Sequence, residues 1–418
     1  MVASHRVAPP PRRASHVLII GAGLAGLCLA QGLKKTGITF KIFERDPAPH
    51  FTSQGYRVHL DSDAYDALKA TLPAPLFDRF LQCAGEVFPP VVYRDALSGE
   101  PLRMDTGLRA TRRVFSVDRA MLRSLLLTGL EDGKDIQFDA ELKRFHVLPN
   151  GLVEVHFENG GFVQGTMLVG ADGPMSRVRQ QHLPRRLRML DTECAAIYGK
   201  TRITPELRAL GLASSCTTVV LGQHPTSALV IEPESATRLD SRQFLSPFRD
   251  ENPELHDLHE YIPWTLLTRV DLLEDDEELR VHELYAMSSE QVAAVAVHLT
   301  TNWHPAVRTI VDYQAREWTS FMKISTFEPQ LPTWNASAVT LIGDAVHTMP
   351  PAGLTCGAAL QDASQLCAEF VYRGVTVVAV AAYEAAMRVR AARCIQTSLA
   401  TGSELYGLPP LGAMKQAS

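Results

Sequence analysis

From His16 to Ile20 the chain is almost wholly apolar and partly β-branched, and it breaks at a glycine, the pattern of a short strand buried on both faces. Leu24 to Lys35 changes to helical spacing, and Thr39 to Glu44 returns to a strand pattern, so this stretch predicts a βαβ unit. Further on, Val153 to Phe157 alternates apolar and polar positions, a glycine pair follows at Gly160-Gly161, and Met167-Leu168-Val169 is apolar. This predicts a hairpin feeding back into the sheet. Between about Cys194 and Tyr285 the pattern becomes short β-like runs, at Val219 to Leu221, Ala228 to Glu232 and Tyr261 to Val270, separated by polar sequence. A second, β-rich domain is expected there. Ser288 to Trp303 reads as a helix capped by Ser288 or Ser289, Ala338 to Ile342 as a buried strand, and Gly357 to Tyr372 as a helix closed by Gly374.

Composition narrows the class. At 418 residues the chain exceeds one ordinary core, which favours two domains. Its net charge of -5 and 21% charged residues give no basis for a nucleic-acid partner or a membrane surface. No apolar run approaches the roughly 20 residues that span a bilayer. The seven cysteines are scattered, with no CxxC pair and no metal-ligand spacing, so the expectation is a reduced cytoplasmic protein without a metal. Met1 to Ser15, rich in proline and arginine, reads as a flexible leader.

Three motifs carry chemistry. The first is Gly21-Ala22-Gly23-Leu24-Ala25-Gly26 between strand and helix, with Glu44 lying 18 residues past Gly26. Gly21 suits a tight turn, Gly23 close approach of backbone to a pyrophosphate, and Gly26 close packing of helix on sheet. The helix N-terminus offers N–H donors to phosphate, and Glu44 can accept from ribose hydroxyls. A 2′-phosphate would be repelled, leaving FAD or NAD. The second motif, Val169-Gly170-Ala171-Asp172-Gly173-Pro174, ends a strand in a carboxylate at the sheet edge where ligands of such sheets bind, although Asp-Gly alone also makes a plain turn. The third runs from Leu341-Ile342-Gly343-Asp344 through His347 and Pro350-Pro351 to Gly353, Gly357 and Asp362. Its carboxylate can hold a polyol chain, and its helix start can stabilise negative charge on a reduced ring.

The order and spacing of these motifs resemble the class A flavoprotein monooxygenases, the family of para-hydroxybenzoate hydroxylase. The resemblance extends to Arg119 in Val117-Asp118-Arg119-Ala120-Met121-Leu122, to Trp303-His304-Pro305 and to Tyr383-Glu384. It implies an α/β fold class, with a Rossmann-type FAD-binding domain over 16–75, 112–185 and 322–375. A β-rich substrate domain would cover 76–111 and 186–321, followed by a C-terminal helix over 376–405 and a tail over 406–418. Gly21, Gly23, Leu24, Ala25, Gly26 and Glu44 would hold the ADP half of FAD, with Arg45 near the adenosine and Arg119 toward the flavin. Asp172, with Gly173, would serve FAD and a transient NAD(P)H. Gly343 and Asp344 would meet the ribityl chain, and Pro351 and Gly353 to Gly357 would run along the ring system. Gln54-Gly55-Tyr56-Arg57 falls on a strand passing the flavin, where Arg57 replaces the usual small residue and is expected to reach flavin or substrate. The loop also lacks the family's usual Gly-x-Gly-x-Asn. The implied reaction uses NAD(P)H and O2 to hydroxylate or epoxidise a small aromatic or alkene substrate in secondary metabolism. Baeyer–Villiger oxidation or dehydrogenation on the same fold, and a non-catalytic nucleotide-binding protein, are the competing readings.

Other candidates carry less. Glu254, His256, His259 and Glu260 resemble a metal cluster but lack a second half, and a solvated loop explains them. His347 can bond the loop backbone, Cys356 can fill space near the flavin, and Trp264 can line a substrate pocket.

Overall fold

The computed structural model describes residues 16–49, 56–87, 91–105, 114–184, 186–210, 216–222, 226–232, 261–270, 287–351 and 355–417. At its centre lies a five-stranded parallel sheet, in the order Val339–Leu341, Met167–Gly170, His16–Ile20, Thr39–Phe43, Ile136–Gln137. His16–Ile20 sits in the middle of it, which is why its side chains are apolar in succession rather than alternating. The helix Leu24–Thr36 packs across the sheet and ends at Gly37, whose φ of 74° is the left-handed conformation that closes many helices. The expected hairpin forms between Val153–Phe157 and Phe162–Gly165, with Leu142–Val147 as its third strand. The helix Thr355–Arg373 lies against Leu24–Thr36, and a 30-residue helix, Val377–Tyr406, follows it.

A second, mainly antiparallel sheet has the order Ser320–Thr326, Leu190–Arg202, Tyr261–Arg269, Ser227–Ile231, Thr218–Gly222, Val91–Asp95, Pro101–Asp105. Lys415–Gln416 adds a short edge against Leu190 and Asp191. Its longest strand, Leu190–Arg202, has 13 residues and is buried over most of its length. There Gly199 faces the Trp264 ring so closely that a Cβ would lie 2.1 Å from Trp264 Cζ2. Trp264 is 1% exposed and donates from Nε1 to Thr201 Oγ1 at 3.0 Å. It is a core side chain of this sheet, not a pocket-lining one. A third, small sheet joins Arg57–Leu60, Val114–Asp118 and Gly85–Val87, and it stands between the other two.

The helix Ser289–Leu299 starts on a full capping box: the Ser288 hydroxyl accepts from Gln291 N–H, and the Gln291 side chain accepts from Ser288 N–H. Ser288→Ala is expected to lower unfolding free energy by about 1 kcal/mol, measured by urea denaturation. Among the described residues no helix is long and apolar enough to cross a membrane.

Candidate functional site

The first glycine turn is enforced by contact. Gly21 has φ +105°, and a Cβ there would stand 2.4 Å from the Ala171 carbonyl oxygen. At Gly26 a Cβ would stand 2.1 Å from the Gly21 carbonyl oxygen. Gly23 differs, because a Cβ there would meet nothing within 4 Å. It caps the helix without a side-chain hydrogen bond, and no acid occupies the first turn. The donors of that helix start, at Leu24 to Gly26, are therefore served by no capping side chain, and the positive end of the helix faces space beside Gly23. Glu44 accepts from Ala22 N–H at 2.6 Å with one oxygen and from Asp46 N–H at 3.0 Å with the other, so it braces the turn. Each oxygen retains a second acceptor lone pair. Arg45, next in the chain, is exposed. Arg123, which sequence reasoning did not single out, is buried and donates to the Ala22 carbonyl at 3.1 Å and to the Pro49 carbonyl.

Asp172 turns its carboxylate onto its own loop. It accepts from Ser176 Oγ at 2.5 Å and from Val178 N–H at 3.1 Å. Burial pushes its pKa up, and those two bonds oppose the rise without cancelling it. Gly173, at φ +75°, gives the turn its left-handed residue and leaves open space above it. The second and third motifs are then tied together by Arg179, whose guanidinium donates to the Ala345 carbonyl at 3.1 Å and lies over the Phe327 ring.

The first and third motifs meet at Gly343. Its φ is +62°, and a Cβ would press on the Ala25 and Ala359 methyls at 3.1 and 3.2 Å. Asp344 follows at the start of a one-turn helix. Its side chain is accessible to solvent, yet burial among the surrounding groups pushes its pKa up against the pull of His347 and Arg119. A group both reachable and enclosed lines a cleft. Arg119, Tyr56 and Cys356 share that character and interact with Asp344; burial drives the Cys356 thiol up to about 12, so it stays protonated. Arg119 N–H bonds the Tyr56 carbonyl, its guanidinium stands 5.6 Å from the Tyr56 ring centre, and Tyr56 stacks on Tyr198 of the large sheet at 4.6 Å.

Behind the cleft is a network that the sequence did not reveal. Asp362, fully buried, accepts from Gly343 N–H at 2.9 Å, meets His347 Nε2 at 2.5 Å and pairs with Arg390 at 2.6 Å. Burial alone would raise the Asp362 carboxyl; His347 and Arg390 outweigh it and hold it below the usual range. Burial would likewise lower His347, and Asp362 outweighs it in the other direction. His347 thus bonds the Asp362 side chain through Nε2. Gly357 packs against the start of the helix Ser62–Thr71, where a Cβ would lie 3.2 Å from Asp61 Oδ1. Pro351 is half-buried at the end of the loop. Gly353, Gln54, Gly55 and the Glu254 to Glu260 cluster lie outside the described residues. Arg57 is on the small sheet, donating to Ser116 Oγ at 2.7 Å and to the Ser116 carbonyl at 2.8 Å.

A glycine turn at the middle of a parallel sheet, an uncapped helix start and a Gly-Asp loop packed against that same helix define a dinucleotide-binding flavoprotein. Residues 14–188 match the family model described as FAD binding domain, and the chain is similar to FAD-dependent monooxygenases. It is 35% identical, over 84% of its length, to the dual O-methyltransferase/FAD-dependent monooxygenase elcB of Phaeosphaeria nodorum, covering 39% of that protein. With the dual-function CTB3 of Cercospora beticola it shares 34% over 94% of its length, covering 46% of the relative. The chain thus spans less than half of these relatives. The FAD-dependent monooxygenase phnB of Penicillium herquei is 27% identical over 94% of this chain and 91% of its own. Among solved structures, a candidate FAD-containing monooxygenase of Photorhabdus luminescens superposes with a TM-score of 0.77 at 27% identity, covering 94% of this chain and 98% of that one. HpxO of Klebsiella pneumoniae, solved with FAD and uric acid, has the same fold at a TM-score of 0.73 and 20% identity, over 94% and 89%. The cofactor of the chain is FAD, and the space beside Gly23 together with the reachable Asp344 fits it.

Proposed function

We propose that this chain catalyses an NAD(P)H- and O2-dependent hydroxylation or epoxidation of an aromatic or electron-rich small molecule in secondary metabolism, in the cytoplasm. The observation that carries the reading is the contact of Gly343 with Ala25, which brings the phosphate-binding helix start and Asp344 to one cleft. In the proposal, the N–H groups at Gly23 to Gly26 hold the pyrophosphate, Glu44 and Arg45 attend the adenosine, and Asp344 accepts from the ribityl chain. Arg119, Asp172 with Gly173, Pro351, the loop from Gly353 to Gly357, and Arg57 complete the cofactor side. The discontinuous FAD-binding part and the β-rich substrate part belong to the same proposal. Bound FAD, once reduced, supplies activation of O2 and transfer of one oxygen atom. The chain's own contribution is to orient the substrate beneath the large sheet and to exclude water with the stacked Tyr56 and Tyr198.

The purified protein is expected to show a yellow flavin spectrum or to acquire one with FAD. NAD(P)H oxidation is expected to rise when a hydroxynaphthalene is added, with label from isotopic O2 in the product. A protein that never takes up flavin, or oxidises NAD(P)H without putting label in product, sinks the reading.

A further inference from the structure

Three successive peptide groups of the first glycine turn are each held by a different partner. Gly21 N–H donates to the Phe43 carbonyl at 2.8 Å, and Ala22 N–H donates to Glu44 Oε2 at 2.6 Å. Both of those partners lie at the end of the neighbouring strand Thr39–Phe43. The third group joins Ala22 to Gly23, and it is held from elsewhere: its carbonyl accepts from Arg123 Nε at 3.1 Å. Arg123 sits in the helix Arg119–Leu127, which packs on Leu24–Thr36 and is tied to it by Gln31 Nε2, donating to the Leu126 carbonyl at 2.7 Å. The same guanidinium donates through Nη1 to the Pro49 carbonyl, in the segment that follows Glu44 and Arg45. One planar fork thus joins the glycine turn to the segment leaving the neighbouring strand.

A planar trans peptide points its N–H away from its C=O. Ala22 is fully buried with its carbonyl turned to a buried guanidinium, whereas Gly23 is partly accessible, so the Gly23 N–H is directed away from Arg123. Gly23 does not secure that direction by itself. Turning the plane over changes ψ of Ala22 and φ of Gly23, and a glycine accepts the new φ at little cost. The two preceding planes are restrained by Phe43 and Glu44. Without Arg123 the Ala22 carbonyl would be buried and unpaired, and turning outward to water would relieve it. The turn would then present a carbonyl oxygen to an anionic ligand where it now presents a donor.

We infer that Arg123 is a positioning residue for the pyrophosphate of FAD: its hydrogen bond to the Ala22 carbonyl locks the Ala22–Gly23 peptide with the Gly23 N–H presented to the phosphate. The inference rests on the reading above that the helix start at Gly23 to Gly26 holds the pyrophosphate. In this role Arg123 acts through the backbone and not by contact with the phosphate. Arg119, four residues earlier on the same side of the helix, interacts with Asp344 in the cleft. One helix therefore serves both the glycine turn and the Gly-Asp loop.

The test uses Arg123→Met, which keeps the apolar stem and removes the donors. FAD-stripped protein is titrated with FAD by flavin fluorescence, and ADP, which carries a pyrophosphate and no flavin, is measured by competition. Both affinities are expected to fall about tenfold. The phosphorus NMR resonances of bound FAD are expected to shift, while the visible spectrum of the FAD-saturated variant stays that of the wild type. A general loosening of the fold would alter the flavin spectrum as well. Arg123→Lys keeps a donor for one carbonyl without the planar fork and is expected to lose about threefold; it carries the test if Arg123→Met does not fold. FAD and ADP affinities at the wild-type level, phosphorus resonances that do not move, or a flavin spectrum altered along with them overturn the role of Arg123. Wild-type FAD that ADP does not displace overturns the pyrophosphate reading instead.

Discussion

Replacing Gly26 with alanine is expected to weaken FAD binding roughly 100-fold, a change of about 2.7 kcal/mol. The added methyl would sit 2.1 Å from the Gly21 carbonyl oxygen, a backbone atom that cannot rotate away. The strand-to-helix turn must open, and the donors at the helix start move with it. Gly23→Ala is the informative control. A Cβ there meets no protein atom, so the variant is expected to fold with an unchanged Tm, and any loss of affinity then reports the space occupied by the cofactor. Flavin fluorescence titration measures both. Wild-type affinity in Gly26→Ala would show that the turn is not the phosphate site.

Asp362→Asn is expected to cost roughly 3 kcal/mol of stability, because it leaves Arg390 and His347 without their buried anion. The pH dependence follows from the two shifts. Asp362 has a lowered folded pKa, so its contribution is present above the unfolded value of about 3.9 and is lost as pH falls through the folded one. His347 has a raised folded pKa, so its contribution is full below about 6.5 and is lost as pH rises through the folded value. The wild type should therefore gain most from the pair between these limits. The variant should lose that advantage, flattening the profile in urea denaturation run across pH. An Asp362→Asn protein with wild-type stability at pH 5 to 6 would show that the network carries little energy.

The local features were readable in advance. Gly21, Gly26 and Gly343 are demanded by backbone geometry and close approach within a few residues or across adjacent strands, and such demands leave a mark on sequence. The βαβ start, the hairpin at Gly160-Gly161 and the Ser288 cap are likewise short-range. The long-range pairs are not. Lys200 with Asp118, His59 with Glu232, and Arg390 with Asp362 join residues far apart in the chain, and each residue read alone is an ordinary surface charge. Trp264 failed for a related reason. Its position in a β-rich region suggested a pocket, while the space it fills is created by Gly199 on a neighbouring strand. Asp172 shows a carboxylate whose address was legible and whose partners were not.

The edge strand Val339–Leu341 completes the parallel sheet, and Arg390 closes the network under Gly343 from the long helix beyond it. The glycine turn is thus made well before the Gly-Asp loop that packs against it has left the ribosome. A nascent chain stopped before Val339 presents Met167–Gly170 as a bare apolar edge, with no Gly-Asp loop to bring to the cofactor. FAD added during synthesis should therefore protect only chains that have passed that point.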